Sequence, residues 1–274
     1  MLEEFEMELN LGGYSPQTVK NYKNTLINLN KYYKKPLNSL KTEEIKSYLF
    51  FLQREKHNGL KSIHRHLNAI KTYYKINNLN IANNIKLPKL TKDLPVFLNF
   101  GEIKRLLEAT ENTRDRLIVQ LLYTSGLRVS ELVSLNIDSI ESNVVKVIQG
   151  KGGKDRITYI DPATQELLKI HISSLKSDNK ALFLNKYGKR ISIRSIERLI
   201  KKTAFNADIN KKVTPHTLRH SFATHMLQNK ANIVVIKDLL GHSNLATTQI
   251  YTNLTDEYKE NIYNNSYPLK SIDI

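Results

Sequence analysis

The segment between Thr214 and Tyr251 contains four side chains that could bind a phosphate, move a proton or act as a nucleophile: His216, Arg219, His242 and Tyr251. The rest of the segment has apolar residues at helical spacing. His216 and Arg219 are three residues apart, so a helix would place both on one face of its first turn. Tyr251 carries the only hydroxyl group of the four, which makes it the candidate for a covalent nucleophile.

Helix signals in this segment predict where the candidate side chains lie. Thr214 followed by Pro215 is typical of an N-cap and a first helical residue. Helix N-termini attract anions, so a phosphate at this end would meet a partial positive charge, an imidazole and a guanidinium. A second helix is predicted from about Asn232, and Gly241 is expected to end it. His242 would then follow at a fixed corner.

Each of these residues also has an ordinary structural interpretation. A single histidine at a helix start is most often a capping or surface residue, and Tyr251 is one of 14 tyrosines. His216, His220 and His225 raise the question of a metal site. The sequence has no cysteine, no HExxH motif and no carboxylate at ligand spacing, so it predicts neither a metal nor another cofactor. The ordered occurrence of the four candidates together favours a chemical site over four unrelated residues.

Two longer stretches of sequence resemble a known family. HTLRHSFATHML and LLGHSNLATTQIYTN are similar to the C-terminal half of the tyrosine recombinase (phage integrase) family, and most similar to its Xer branch. The resemblance covers nearly the whole chain and points to two upstream positions, Arg128 in TSGLRVSELVSL and Lys151 in QGKGGKDR. It implies a catalytic set that consists of Arg128, Lys151, His216, Arg219, His242 and Tyr251.

The resemblance also implies a reaction, in which a DNA phosphodiester is cut and rejoined. Arg128 and Arg219 would neutralise the non-bridging oxygens as charge grows in the transition state. His216 and His242 would add hydrogen-bond donors, and His216 is also a candidate acceptor for the tyrosine proton. Tyr251 would attack the phosphorus and form a 3′-phosphotyrosyl link. This link stores the bond energy, so rejoining needs no ATP.

A carboxylate is placed to support Arg128. Glu131 follows it by three residues, so both lie on one face of a predicted helix. A surface ion pair of this kind contributes little to stability. If Arg128 binds a phosphate, the pairing gains a purpose, because Glu131 would hold the guanidinium in place.

The sequence pattern changes from helical to alternating between Asn143 and Ile160, and it predicts a β-hairpin. The turn, QGKGGKD, contains glycines that permit a tight, exposed tip. These glycines also resemble a phosphate-binding loop. A Walker motif, however, requires Ser or Thr after the lysine and a wider glycine spacing, so no nucleotide site is predicted. The resemblance assigns to Lys151 the protonation of the departing oxygen, with Lys154 as the second candidate.

The chain is strongly basic, with a net charge of +16. This surplus divides equally between residues 1–90 and residues 91–274. It indicates a polyanionic partner in contact with both parts, and double-stranded DNA before any other. A lysine-rich surface that only keeps the protein in solution would explain the charge but not the motifs.

The composition also bears on the compartment. The absence of cysteine excludes a disulfide framework and fits a reducing environment. The acidic N-terminus, MLEEFEMELN, lacks the apolar core of a signal peptide, and no apolar run approaches the length of a membrane span. The sequence therefore predicts a cytoplasmic protein with no membrane contact.

Two domains are predicted, in a fold that is mainly α with a small β-hairpin. Residues 1–85 have the pattern of four amphipathic helices, which the resemblance identifies as an N-terminal core-binding (SAM-like) domain. Residues 86–95, KLPKLTKDLP, combine prolines and charges without periodicity and indicate a linker. Residues 96–274 are expected to form the α+β catalytic domain, with a C-terminal tail from about residue 255.

Two surfaces are expected to make larger contacts. The helix that follows Ser192 carries a basic face suited to a DNA groove, formed by Arg194, Arg198, Lys201 and Lys202. The short amphipathic helix of the tail could fold onto its own domain. The resemblance favours docking on a neighbouring protomer instead, in a tetramer that works through a Holliday junction.

Chromosome-dimer resolution is the biological role that the resemblance favours. Three alternatives stay open at this stage: an integrase of a mobile element, a type IB-like topoisomerase and a non-catalytic DNA-binding regulator. We expect no added N-terminal arm-binding domain of the kind found in many integrases, which favours the simpler Xer type. A regulator would explain the charge but not the residues of the site. An accessory translocase or a partner recombinase is a further candidate partner.

Overall fold

A computed structural model describes residues 2–90, 96–148, 155–175, 179–241 and 256–271, with the backbone alone for residues 256–259 and 271. The chain divides into two compact units, Met1–Asp93 and Leu94–Ile274. Each unit has its own hydrophobic core. The described residues are mainly α-helical with a small antiparallel sheet, which confirms the predicted fold class.

The described part of the N-terminal unit contains four α-helices: α1 (Leu2–Leu11), α2 (Pro16–Tyr33), α3 (Thr42–Arg54) and α4 (Leu60–Ile76). Apolar residues three or four positions apart give each helix one buried face. Local chemistry sets the start of α2, where the Ser15 side chain accepts a hydrogen bond from the backbone N–H of Thr18 at 3.2 Å. The four helices predicted for this unit are all present.

The described part of the C-terminal unit contains eight α-helices. They are α5 (Phe100–Glu108), α6 (Thr113–Thr124), α7 (Val129–Ser134), α8 (Pro162–Ser174), α9 (Ile193–Asn206), α10 (Pro215–Gln228), α11 (Ile233–Leu240) and α12 (Asp256–Ser266). Helix α6 lies at the centre of this unit, since every residue from Leu117 to Thr124 is buried. Helices α8 and α10 pack against it. None of the described helices is long and apolar enough to cross a membrane.

The sheet consists of β1 (Ile140–Glu141), β2 (Val144–Val147) and β3 (Arg156–Tyr159), antiparallel and in that order. Strands β2 and β3 form the predicted hairpin, and its tip, residues 149–154, lies outside the described residues. The sequence does not predict β1, because two residues are too few to show an alternating pattern. The Thr158 hydroxyl donates to the carbonyl oxygen of Ser125 at 2.8 Å, which fixes β3 beside the loop that precedes α7.

The described part of the tail packs on its own domain. Tyr263 of α12 is completely buried, and its hydroxyl donates to the carbonyl oxygen of Thr124 at 3.0 Å. Leu269 enters the main core, and the Asn229 amide donates to the carbonyl oxygen of Ser266 at 3.3 Å. Burial of this apolar surface stabilises the attached position. Contact with a neighbouring protomer stays a prediction, and it requires these side chains to leave their own domain.

Candidate active site

Arg128 lies at the N-cap of α7, where it pairs with the carboxylate predicted to support it. The Arg128 guanidinium donates from Nη1 to Glu131 Oε1 at 2.8 Å, and its backbone N–H donates to Glu131 Oε2 at 2.7 Å. A second guanidinium nitrogen, Nη2, donates to the carbonyl oxygen of Gly241 at 3.0 Å. The Arg128 side chain is 18% exposed, so its contacts within the protein leave part of it accessible to solvent.

Helix α10 positions the other two described candidates. Thr214 is its N-cap and accepts a hydrogen bond from the backbone N–H of Thr217 at 3.2 Å, and Pro215 is the first helical residue, as predicted. His216 in this first turn is exposed. Arg219, one turn further on, is only 7% exposed. The same helix start therefore presents one solvent-accessible imidazole and one buried guanidinium.

The buried guanidinium of Arg219 is bound by main-chain oxygens. Its Nη1 donates to the carbonyl oxygen of Gly126, and its Nη2 donates to that of Leu240 at 2.6 Å. Burial lowers the pKa of Arg219 to about 9, and the positive charge of Arg128 acts in the same direction, while Glu131 raises it. Burial and the neighbouring cation therefore disfavour the charged form of Arg219, and an anionic ligand beside it would offset this effect.

The C-terminal end of α11 is the point where these arginines meet. The backbone N–H of Gly241, which has a φ of +63°, donates to the carbonyl oxygens of Asp238 and Lys237 and ends the helix. The next three carbonyl oxygens each accept a hydrogen bond from a different arginine: Leu239 from Arg156, Leu240 from Arg219 and Gly241 from Arg128. Carbonyl groups at a helix end have no partner within the helix and carry partial negative charge, so cations are stabilising there.

Glu131 is the shared carboxylate of this cluster. It accepts hydrogen bonds from Arg128 and Arg156, and Arg219 Nη1 lies 4.0 Å from its Oε2. Burial alone would raise the pKa of Glu131, but the hydrogen bonds from Arg156 and Arg128 outweigh it and lower the pKa to about 2. One carboxylate therefore faces three guanidinium groups, and the surplus positive charge suits the binding of a phosphate.

Arg156, the third arginine, is not among the residues that the sequence predicts for this site. Its guanidinium binds both oxygens of Glu131, from Nη1 to Oε1 and from Nη2 to Oε2, each at 2.8 Å. One signal in the sequence could have identified it. Alternation along β3 places Arg156 on the same face as the buried Thr158, which is an unusual position for a charged side chain without a partner.

The structure brings together part of the predicted set. Arg128 and Arg219 share Glu131 and the end of α11, and His216 lies on the same helix as Arg219, about one turn before it. Lys151, His242 and Tyr251 lie outside the described residues, so their places in the site stay predictions. Within the described ranges, no group of three His, Asp or Glu side chains is arranged to hold a metal ion.

Both units match one protein family. Residues 96–258 match the phage integrase family, and residues 1–77 match the phage integrase N-terminal SAM-like domain. The chain therefore belongs to the phage integrase family. Within it, the chain is a site-specific tyrosine recombinase, as its relatives indicate.

Two of the curated relatives align with almost the full chain. It is 39% identical to tyrosine recombinase XerA of Pyrococcus furiosus over 268 residues, which are 94% of this chain and 91% of that protein. It is 33% identical to tyrosine recombinase XerD of Oceanobacillus iheyensis over 280 residues, 93% of this chain and 94% of that protein. Among solved structures, a lambda integrase dimer bound to a core site aligns over 93% of this chain and 97% of that one, with a TM-score of 0.71 at 18% identity. That likeness shows a common fold.

Proposed function

We propose that this recombinase exchanges strands between two copies of a specific duplex DNA site, through a 3′-phosphotyrosyl intermediate and a Holliday junction. The observation that carries the proposal is the convergence of Arg128 and Arg219 on one carboxylate and on one helix end. Two cations with one shared anion form a site for a phosphate that becomes more negative as it is attacked.

Both arginines keep donors for that phosphate. Each guanidinium carries five N–H donors. The hydrogen bonds described above use one Nη1 and one Nη2 donor of Arg128, and likewise of Arg219. The remaining donors are held in a fixed orientation before DNA arrives, so little reorganisation is needed in the transition state.

The chemistry assigned to the other residues completes the reaction. The Tyr251 phenolic oxygen attacks the phosphorus, and its proton passes to His216. The bond from phosphorus to the 5′ oxygen breaks, and Lys151 protonates the departing oxygen. His242 donates a hydrogen bond to the phosphate. Attack by the 5′-hydroxyl of the second duplex then releases Tyr251 and joins the exchanged strands, without a metal or ATP.

The DNA partner is expected to contact basic surfaces of both units. On α9, the side chains of Arg194, Arg198 and Lys201 are exposed. Lys202 is exposed too and pairs with Glu111 at 2.5 Å. Cations spaced by three and four residues along one helix suit the phosphates on either side of a groove.

The biological role that we propose is the resolution of chromosome dimers in the cytoplasm. The Xer names of relatives that are 33% to 39% identical support it. The same proposal includes a tetramer on DNA, in which the tail beyond residue 255 leaves its own domain and docks on the next protomer. A plasmid with two directly repeated target sites should then be resolved into two circles, whereas a topoisomerase would only relax it.

Covalent trapping tests the chemistry. The protein is incubated with nicked duplexes of candidate target sites, without metal or ATP, and run on a denaturing gel beside the Tyr251→Phe variant. We expect a protein–DNA band that the variant lacks. A band that persists with Tyr251→Phe would show that the nucleophile is another residue. The absence of any band on a site that the protein binds would favour a DNA-binding regulator.

A further inference from the structure

Arg156 joins three parts of the C-terminal unit. It is the first residue of β3 and lies opposite Val147 in the hairpin. Its side chain is 9% exposed. Its Nε donates to the carbonyl oxygen of Leu239 at 2.8 Å, while both Nη atoms bind Glu131. The hairpin, helix α7 and the end of α11 are thus connected through one guanidinium.

We propose that Arg156 is a positioning residue for strand cleavage: it holds Glu131 and the end of α11 so that Arg128 and Arg219 keep donors for the DNA phosphate. The inference rests on the proposed function, because it takes Arg128 and Arg219 as the phosphate ligands. Arg156 itself needs no contact with DNA for this role.

The first argument concerns competition for the one carboxylate. Arg156 occupies one position on each oxygen of Glu131, and the side chain and backbone N–H of Arg128 occupy the others. Arg219 Nη1 lies 4.0 Å from Glu131 Oε2, beyond hydrogen-bond distance. Without Arg156, the free acceptor sites on Glu131 would attract the nearest cation. Arg219 would then turn toward the carboxylate and give up donors that the phosphate needs.

The second argument concerns geometry. A Cβ atom at residue 241 would lie 2.8 Å from Arg156 Cδ and 3.1 Å from its Nε. The arginine side chain therefore passes directly over Gly241, whose own carbonyl oxygen binds Arg128. Lysine carries a single ammonium group and cannot bind two carboxylate oxygens and a carbonyl oxygen in this planar arrangement. The shape of the guanidinium matters here, and not only its charge.

A purely structural role makes a different prediction. A buried ion pair between Arg156 and Glu131 would affect the fraction of folded protein but not the chemistry of each folded molecule. The pH dependence of cleavage separates the two roles. Among the residues that the structure describes, the charged groups that face Glu131 are Arg128 from the start of α7, Arg156 from β3 and Arg219 from α10. Removing the two hydrogen bonds of Arg156 raises the pKa of Glu131, so protonation begins nearer to neutral pH and weakens the hold on Arg128.

The experiment uses Arg156→Lys and Arg156→Met in the full chain, with single-turnover cleavage of a nicked target duplex at saturating protein. We expect the rate to fall about tenfold to a hundredfold, the range found when a partner that orients a site residue is lost. Affinity for the duplex should stay within about twofold of wild type, because the Arg156 side chain is only 9% exposed and its proposed role needs no contact with DNA. The loss should deepen as the pH is lowered from about 8 to about 5.

Arg114→Lys is the matched control. The Arg114 guanidinium also binds a carboxylate, that of Asp115, and a carbonyl oxygen, that of Leu184, and it contacts none of the site arginines. This variant should cleave at the wild-type rate with the wild-type pH profile. The folded fraction of every variant is measured by thermal unfolding. If Arg156→Met does not fold, the cleavage rate of Arg156→Lys alone is compared with that of the wild type.

Two results must be distinguished. If Arg128→Ala is inactive while both Arg156 variants cleave normally per folded molecule, the role of Arg156 is wrong and the proposed function stands. If the Arg156 variants have a lower melting temperature but an unchanged cleavage rate and pH profile, the role proposed for Arg156 is likewise wrong. If Arg128→Ala itself cleaves at the wild-type rate, the proposed phosphate site is wrong, whatever Arg156 does.

Discussion

The Arg219 guanidinium donates a hydrogen bond to the carbonyl oxygen of Gly126, two residues before Arg128 in the chain. This contact ties α10 to the loop that carries the other site arginine. Gly126 has a φ of +63°, and a Cβ atom there would lie 2.7 Å from Phe222 Cδ1 and 2.8 Å from Leu240 Cδ2. The loop can follow this path only because residue 126 is glycine.

Gly126→Ala should therefore lower the free energy of unfolding by about 2 to 4 kcal/mol, since it adds overpacking to left-handed backbone strain. Urea denaturation measures this change. Gly188→Ala is the control, because Gly188 has a φ of +69° with no atom within 4 Å of its Cβ position. In the Gly188→Ala variant the free energy of unfolding should fall by only about 1 kcal/mol, the cost of the left-handed backbone conformation. Equal losses in the two variants would contradict the packing argument.

If Arg128 and Arg219 bind the phosphate as proposed, replacing either by alanine should reduce single-turnover cleavage on the order of a hundredfold or more, because the change removes a donor to the transition state. Arg128→Ala should disturb the fold less, because Arg128 is partly exposed and binds one main-chain carbonyl oxygen, whereas Arg219 is buried and binds two. Loss of the buried Arg219 also leaves the carbonyl oxygens of Gly126 and Leu240 without their donor. Arg105→Ala, which removes a 3.3 Å hydrogen bond to the Ala207 carbonyl outside the site, should leave the rate unchanged.

Deletion of the tail from Thr255 onward should abolish recombination and leave much of the DNA binding intact. Because Tyr263 fills a core position, the same deletion should also lower the melting temperature of the C-terminal unit. Tyr263→Phe tests the attachment alone and should cost about 1 kcal/mol through the lost hydrogen bond to Thr124. Asn264→Ala changes an exposed neighbour of Tyr263, and it should alter neither recombination nor the melting temperature. Recombination at the wild-type rate without the tail would refute the assembly proposal.

The stability of the C-terminal unit should fall in acid through His225. This side chain is buried on α10, with its Nδ1 atom 2.7 Å from the Tyr123 hydroxyl and its ring stacked on Phe100. Burial lowers the pKa of His225 from 6.5 to about 4. Between these values the unfolded chain binds a proton that the folded protein does not accept. The contribution of neutral His225 to the free energy of unfolding is therefore complete above about pH 6.5, and it is lost as the pH falls toward 4.

Urea unfolding from about pH 7 to about pH 4 measures this contribution, which corresponds to roughly 3 kcal/mol. His225→Gln removes the titrating group. We expect the stability of this variant to decrease less steeply than that of the wild type over the same range. Parallel curves would show that another group is responsible.

Local chemistry explains which parts of the site the sequence predicts. Thr214 with Pro215 sets the start of α10, and Asn232 with Gly241 sets both ends of α11, because caps and left-handed stops depend on adjacent residues. The pairing of Arg128 with Glu131 is also local, at a separation of three residues. The resemblance to a family supplied what spacing alone left open, namely which of many arginines belong together.

Contacts between distant parts of the chain explain what was missed. Arg156 binds Glu131 across 25 positions and Leu239 across 83, and neither separation leaves a periodic trace in the sequence. The attachment of Tyr263 to Thr124 spans 139 positions. An amphipathic tail helix is visible in the sequence, but which surface covers its apolar face depends on a groove that only the folded unit creates.

The three arginines at the end of α11 also bear on the order of events during synthesis. Arg128, Arg156 and Arg219 are all made before the carbonyl groups of residues 239–241 that hold them. A chain that is still being translated therefore carries the cations but has no helix end on which to assemble them. We therefore expect that the three arginines cannot take up their places as a phosphate site before residues 239–241 have been made.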